Sequence, residues 1–221
     1  FFESFSTGIL FHGVYLGGCW YAFSLDLPSA IVALIVTFQP ILTNILSGPL
    51  FNEKIYWHQW VGVSLGFIGS IIVLGVDFNN QYPIAGILSC FAALAGITIG
   101  TLWQKKLSGN IPLSVNNAYQ ALGGCTFNLL LMLLFENPII NFTTNFILAI
   151  THQILFISFG AFAILMYLIK NRSVSKTSTL FFLVPPVSAV MAFLFIDESL
   201  TRYDIIGLLI ATLGVYIATR K

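Results

Sequence analysis

"TFQPILTNILSGPLFNEKIYWHQWVGVSLGFIGSIIVL", Thr37 to Leu74, and "FLVPPVSAVMAFLFIDESLTRYDIIGLLIATLGVYIAT", Phe182 to Thr219, together decide the fold. A shift of 145 positions lays the first on the second without a gap. Pro40 then falls on Pro185, Glu53 on Glu198, Gly62 on Gly207, Gly69 on Gly214, and Gly66 on the similarly small Ala211. Overall identity is low, but the coincident residues are those with backbone or charge meaning. A period of this kind constrains architecture before any motif is read.

The chain as a whole is apolar. Of 221 residues, 57% are hydrophobic and 8% charged, with a mean hydropathy of +0.92. A soluble domain carries about 25% charged residues, so this chain lacks the polar surface to cover a globule in water. Its apolar stretches run about 20 residues without the alternation of a membrane barrel strand, the length of a bilayer-spanning helix. The fold class is therefore an all-α membrane protein. Eight spans are predicted, at roughly Phe5–Leu25, Ser29–Pro49, His58–Val76, Pro83–Trp103, Val115–Phe135, Phe146–Leu168, Thr177–Ile196 and Tyr203–Thr219. Short polar connections join them.

If the connections alternate between two sides, Lys54, Lys105, Lys106, Lys170, Arg172, Lys176, Arg220 and Lys221 share one side and Arg202 stands on the other. The Lys/Arg-rich side is expected to be cytoplasmic, with both ends of the chain there, in the plasma or inner membrane. The two copies lie five spans apart, an odd number, so they should run in opposite directions. Inverted repeats of this kind are characteristic of secondary transporters, with the substrate near the midplane. The expected organisation is residues 1–76 as three helices of a first repeat and 83–219 as the five helices of a second. Two further helices are expected before Phe1, making ten in two inverted five-helix repeats.

The sequence resembles the drug/metabolite transporter superfamily, in particular its EamA-type ten-helix exporters. The resemblance rests on "LPSAIVALIVTFQPILTNILSGPLFNEKI", "GTLWQKKL", "AYQAL" and "FFLVPPVSAVMAFLFIDESL". Each repeat carries a small-residue helix, then Pro, then Glu at the following loop. One departure is "RSVSKTSTL", more polar than the Ala-rich stretch usual before the second proline. The resemblance implies export of a small metabolite by facilitated or proton-linked exchange. It does not name the substrate.

Ionisable groups inside a membrane are functional candidates, since a charge at mid-bilayer costs about 2.5 kcal/mol or more. Here only His12 sits well inside a span; Glu3 lies in the apolar start, and the other carboxylates and all Lys and Arg fall at span ends or loops. A carboxylate proton relay and a multiply anionic substrate are both disfavoured. A neutral or zwitterionic partner, amino-acid-like or drug-like, fits better. At helical spacing Gly8, His12, Tyr15, Cys19 and Ala22 share a face, as do Thr37, Pro40, Asn44 and Ser47, and Asn117, Gln120, Gly124 and Asn128. Polar stripes in lipid must face protein or a cavity. The candidate substrate-binding residues are His12, Tyr15, Thr37, Asn44, Trp103, Asn117, Gln120 and Asn128, against a competing role as glue between helices. Gln39, opposite Asn44, is assigned to packing. Pro40, Pro185 and Pro186 are candidate hinges, with a fixed kink as the alternative.

The stripes Gly62/Gly66/Gly69 and Gly207/Ala211/Gly214 let backbones approach closely. Scaffold packing is the expected use, and a homodimer face the alternative. Glu53 and Glu198 are expected to cap or pin loops. Asn141 and Asn171 match the glycosylation sequon. Cys19, Cys90 and Cys125 have no metal-ligand spacing, so no metal or cofactor is expected. A net charge of +1 gives no case for nucleic acid. An enzyme would need converging nucleophiles or acid–base pairs, and a channel a ring of carbonyls or like charges; neither is legible. A lipid-handling membrane protein is the alternative to a carrier.

Overall fold

The computed structural model describes residues 1–75, 82–109, 111–136, 139, 141–196 and 199–220. Val76, Glu198 and Lys221, which figure in the sequence reading, lie outside the described residues. Among those described there is no strand, and helices follow one another throughout. They are α1 (2–24), α2 (Ser29–Phe51), α3 (Trp57–Leu74), α4 (Ile84–Leu107), α5 (Leu113–Phe135), α6 (Thr144–Asn171), α7 (174–196) and α8 (Arg202–Thr219). Seven of these are long and apolar enough to cross a membrane. The exception is α1, which carries Glu3, Ser4, Ser6, Thr7 and His12.

Helix boundaries follow local chemistry, and they keep the 145-residue register. Trp57–Leu74 maps onto Arg202–Thr219 end for end. The N-caps correspond too. Gln59 Oε1 accepts from the Tyr56 backbone N–H at 2.8 Å, and Asp204 Oδ2 from that of Thr201 at 2.8 Å. Both satisfy a donor that a helix start leaves free.

The two proline helices break at matching places. A proline ring clashes with the carbonyl four residues earlier and offers it no N–H. For Pro40 that carbonyl belongs to Val36, where the first half of α2 ends; Gln39–Phe51 is its second half. For Pro185 and Pro186 the carbonyls are those of Phe181 and Phe182, inside a 3₁₀ turn at Leu180–Leu183. The Val184 N–H takes the Phe181 carbonyl. The Ser70 hydroxyl donates to that of Phe182 at 3.0 Å. Helices α1 and α6 share another irregularity. Each winds through a wide π-helical stretch, Ile9–Gly17 and Gln153–Ala161, displaced by one residue from the same register.

The glycine stripes meet each other. Helices α3 and α8 pack antiparallel, Gly62 beside Gly214 and Ala218, and Gly69 beside Gly207 and Ala211. A Cβ on Gly69 would lie 2.5 Å from the Ala211 backbone nitrogen and 2.7 Å from the Gly207 oxygen. The stripes are thus occupied within the chain. Phe182, fully buried, rests on Gly66. Helix α1 packs into α4 and α5, and its Ala22 joins Leu27, Ile31 and Val32 around the start of α2 and Cys90 and Leu94 of α4 in one apolar cluster. The apolar window of α6, by contrast, is nowhere buried.

Candidate functional site

A cavity of about 400 Å³ opens between α1, α2 and α7. It runs from Ser29, at the start of α2, to Gln39, just past the break. At 1.5 Å per residue that is about 15 Å, half of a bilayer core of about 30 Å. Val36, Thr37 and Gln39 line it from the first break, and Phe181, Val184 and Pro185 from the second. These are register partners: Val36 maps to Phe181, Gln39 to Val184. The cavity therefore sits where the two irregular segments face each other. Trp20, Phe23, Leu16 and Val32 make its walls largely apolar. Among the described residues, no Asp, Glu, Lys, Arg or His lines it.

The opposite end of the bundle is tied shut. Both Glu53 carboxylate oxygens engage the start of α7: Oε2 accepts from the Ser173 hydroxyl at 2.7 Å and the Ser175 N–H at 3.3 Å, and Oε1 from the Val174 N–H at 2.9 Å. A carboxylate at a helix N-terminus satisfies free donors and meets the positive end of the dipole. Lysines do the converse at helix C-termini. Lys105 Nζ donates to the Ile169 carbonyl at 2.9 Å and also to that of Arg172, and Lys176 Nζ to Thr219 at 3.1 Å and Arg220 at 2.9 Å. Deeper in, Asn44 Oδ1 accepts from the Ser175 hydroxyl, while Asn44 Nδ2 donates to the Pro40 carbonyl at 2.7 Å. The polar "RSVSKTSTL" segment is accounted for here: Ser175, Thr177, Ser178 and Thr179 are all buried against protein.

The residue pattern of helix, proline break, glutamate and paired glycines now has a family attached. The EamA-like transporter family matches residues 5–75 and 84–220. The chain belongs to that family. Its transporter relatives include the "Uncharacterized transporter YvbV" of Bacillus subtilis, 25% identical over 213 residues, covering 96% of this chain and 68% of the relative. The "Probable amino-acid metabolite efflux pump" of Salmonella typhimurium is 23% identical over 206 residues, with 89% and 69% covered. The "WAT1-related protein At3g02690, chloroplastic" of Arabidopsis thaliana is 24% identical over 199 residues, with 84% and 47% covered. The chain thus spans between about half and about two thirds of these relatives' lengths. One solved crystal structure superposes with a TM-score of 0.83 at 18% identity, covering 97% of this chain and 75% of that one. The EamA-family chain is a multi-pass membrane transporter.

In this transporter, the eight candidate residues fall in several places. Tyr15 and Thr37 line the cavity. The Thr37 hydroxyl donates its proton to the Ala33 carbonyl at 2.6 Å, a back-bond that bends helices. His12 is half-buried on α1, its ring 4.8 Å from that of Phe162, and its carbonyl accepts from Asn128 Nδ2 at 2.9 Å. Gln120 and Asn116 both donate to Gln104 Oε1, joining α5 to α4. The Oδ1 of the neighbouring Asn117 is buried without a partner. Asn44 ties α2 to α7. Trp103 lines a separate groove of about 680 Å³ with Leu50, Phe51, Lys105 and Lys106, the aromatic and basic mixture of a membrane interface. Among the hinge candidates, Pro185 lines the cavity, and Pro40 follows the first break.

Two kinds of lining residue escaped the sequence reading. Trp20, Phe23 and Phe181 read as ordinary apolar span residues, because periodicity cannot tell a cavity wall from a lipid face. Its angle from Asn44 gives Gln39 a packing role, which its bonds to Thr43 and Thr101 agree with, but not its place in the cavity lining. The signal that could have found it is the register itself, which sets Gln39 against Val184.

Proposed function

We propose that the chain is the greater part of a secondary carrier that moves a small, apolar-bodied, neutral or zwitterionic metabolite by alternating access, in the direction of export. The observation that carries this reading is the placement of the cavity between two helix breaks related by the 145-residue register. Broken helices at the interface of inverted repeats are how carriers build midplane sites. In this reading residues 1–76 belong to the first repeat and 83–219 to the second. Two further helices, register mates of α4 and α5, cover the bare face of α6 as α4 and α5 cover α1. The lysine-rich end is cytoplasmic and closed, and the cavity opens to the other side.

The uncharged lining selects against solutes of high net charge, whose desolvation would go uncompensated, and is compatible with a solute of zero net charge whose own opposite charges lie close together. An amino acid or its derivative fits both the volume and the name of the Salmonella relative. Among the described lining residues none form a nucleophile–base pair, which fits a site for binding and release. Proteoliposomes holding the full-length protein should show saturable counterflow of L-phenylalanine. Ala33→Trp, which fills the cavity from its wall, should reduce that counterflow at least tenfold while the protein stays monodisperse. Counterflow equal to wild type in the plugged variant would sink the reading. Lipid scrambling without solute flux would move the protein to the lipid-handling class.

A further inference from the structure

Among the described residues, Gln39 is the buried lining residue whose side chain has a polar atom without a partner. It is 1% exposed, lines the cavity at its deep end, and begins the second half of α2. Its Nε2 donates to the Thr43 hydroxyl oxygen at 3.0 Å and to that of Thr101 at 3.4 Å. Its Oε1 is buried with no partner. The orientation of the amide is fixed by its neighbours. The Thr101 hydroxyl gives its proton to the Ile97 carbonyl at 2.7 Å, so the Gln39 atom facing it must be a donor, which places the oxygen on the other side. Buried acceptors are rarely left unpaired. The register partner Val184 lines the same cavity with an apolar side chain. Among the other polar lining residues, Thr37 has a partner for its hydroxyl proton, Tyr15 and Cys19 are only partly buried, and Trp20 and Ser29 are exposed.

We propose that Gln39 determines specificity in this site: its carbonyl oxygen accepts a hydrogen bond from an N–H donor of the substrate, selecting small amino compounds with an apolar body. This rests on the carrier reading above. The apolar walls of Trp20, Phe23 and Phe181 take the body, and the Gln39 oxygen takes the donor at the deep end. The two threonines hold the amide so that it is oriented before the substrate arrives, which lowers the ordering cost of binding.

The test uses full-length protein in proteoliposomes and counterflow of radiolabelled L-phenylalanine. Competition by unlabelled L-phenylalanine is compared with competition by N,N,N-trimethyl-L-phenylalanine, which keeps the zwitterion and the ring but has no N–H. Wild type should prefer L-phenylalanine by roughly ten- to hundredfold, the size of a hydrogen bond to a charged group. Gln39→Leu should bring the preference to within about threefold of unity, while Gln39→Glu, which keeps an acceptor oxygen, should retain a preference of at least tenfold. A wild type that does not distinguish the two compounds overturns the proposal without recourse to any variant. So does a Gln39→Leu protein that keeps the wild-type preference. If Ala33→Trp abolishes counterflow while Gln39→Leu leaves the preference intact, the cavity stands and only the role of Gln39 falls. If Ala33→Trp carries L-phenylalanine as wild type does, the carrier site itself is misplaced and the Gln39 proposal falls with it.

Discussion

Glu53 shows how much one side chain organises at this scale. Three donors of the α7 start converge on its two oxygens, so its removal leaves partly buried N–H groups without acceptors. Glu53→Ala should destabilise the protein by about 2 kcal/mol, the upper end for loss of a helix cap. Glu53→Gln, which keeps one acceptor but turns an NH₂ toward N–H donors, should fall between. Thermal unfolding in detergent reads both, and an unchanged midpoint in Glu53→Ala would show that the cap contributes nothing. The capping role was legible from Glu placed at a loop after a proline helix; its partners were not. They lie 120 residues or more away in sequence, and no periodicity reports such a meeting. Gln39 is a related case: it packs as its helical angle predicts, against Thr43 and Thr101, but its place at the cavity is not readable from that angle. Helical angle placed it relative to Asn44, but the break at Thr37–Phe38 lies beside it, and what it faces across that break depends on α4 and α7.

At the scale of elements, the prolines announced two breaks, and the residues at i−4 explain where they fall. What was not legible is the π-helical winding of α1 and α6, for which no proline or charge gives a cue. The glycine stripes were legible as close-packing surfaces, and their mutual use followed only when α3 and α8 were seen side by side. Because backbone meets backbone there, no neighbouring side chain can swing away from an added group. Gly69→Leu and Gly214→Leu should each cost at least about 3 kcal/mol, beyond ordinary overpacking, and lower the yield of folded protein. Gly75→Leu is the informative contrast for added bulk. Among the described residues no heavy atom beyond its chain neighbours lies within 4 Å of a Cβ there, although its φ of +54° carries a backbone strain of its own. Equal monodisperse yields for Gly69→Leu and wild type in size-exclusion chromatography would mean that the α3–α8 seam is not tight.

On the scale of the whole molecule, the seal at the lysine-rich end is what makes the structure one-sided. Asn44 and Ser175 meet at the heart of it, one on each proline helix, and Glu53 binds the same turn of α7. Under the proposed alternating access, α2 and α7 must part at this end for the cavity to be reached from the cytoplasm. A covalent tie between them should therefore stop transport without unfolding anything. In a background where Cys19, Cys90 and Cys125 are replaced by alanine, Asn44→Cys together with Ser175→Cys can be joined by a short, reducible bifunctional thiol reagent. Joined, the protein should lose at least nine tenths of its L-phenylalanine counterflow; reduced, it should regain it. Each single-cysteine control should be indifferent to the reagent. The hydrogen bond between the two native side chains makes this pair the most direct choice, since it holds them in contact in the closed state. Undiminished counterflow in the joined protein would mean that this end does not open during the cycle. The seal would then be fixed scaffold, and the path of the solute would have to be sought on another face of the bundle.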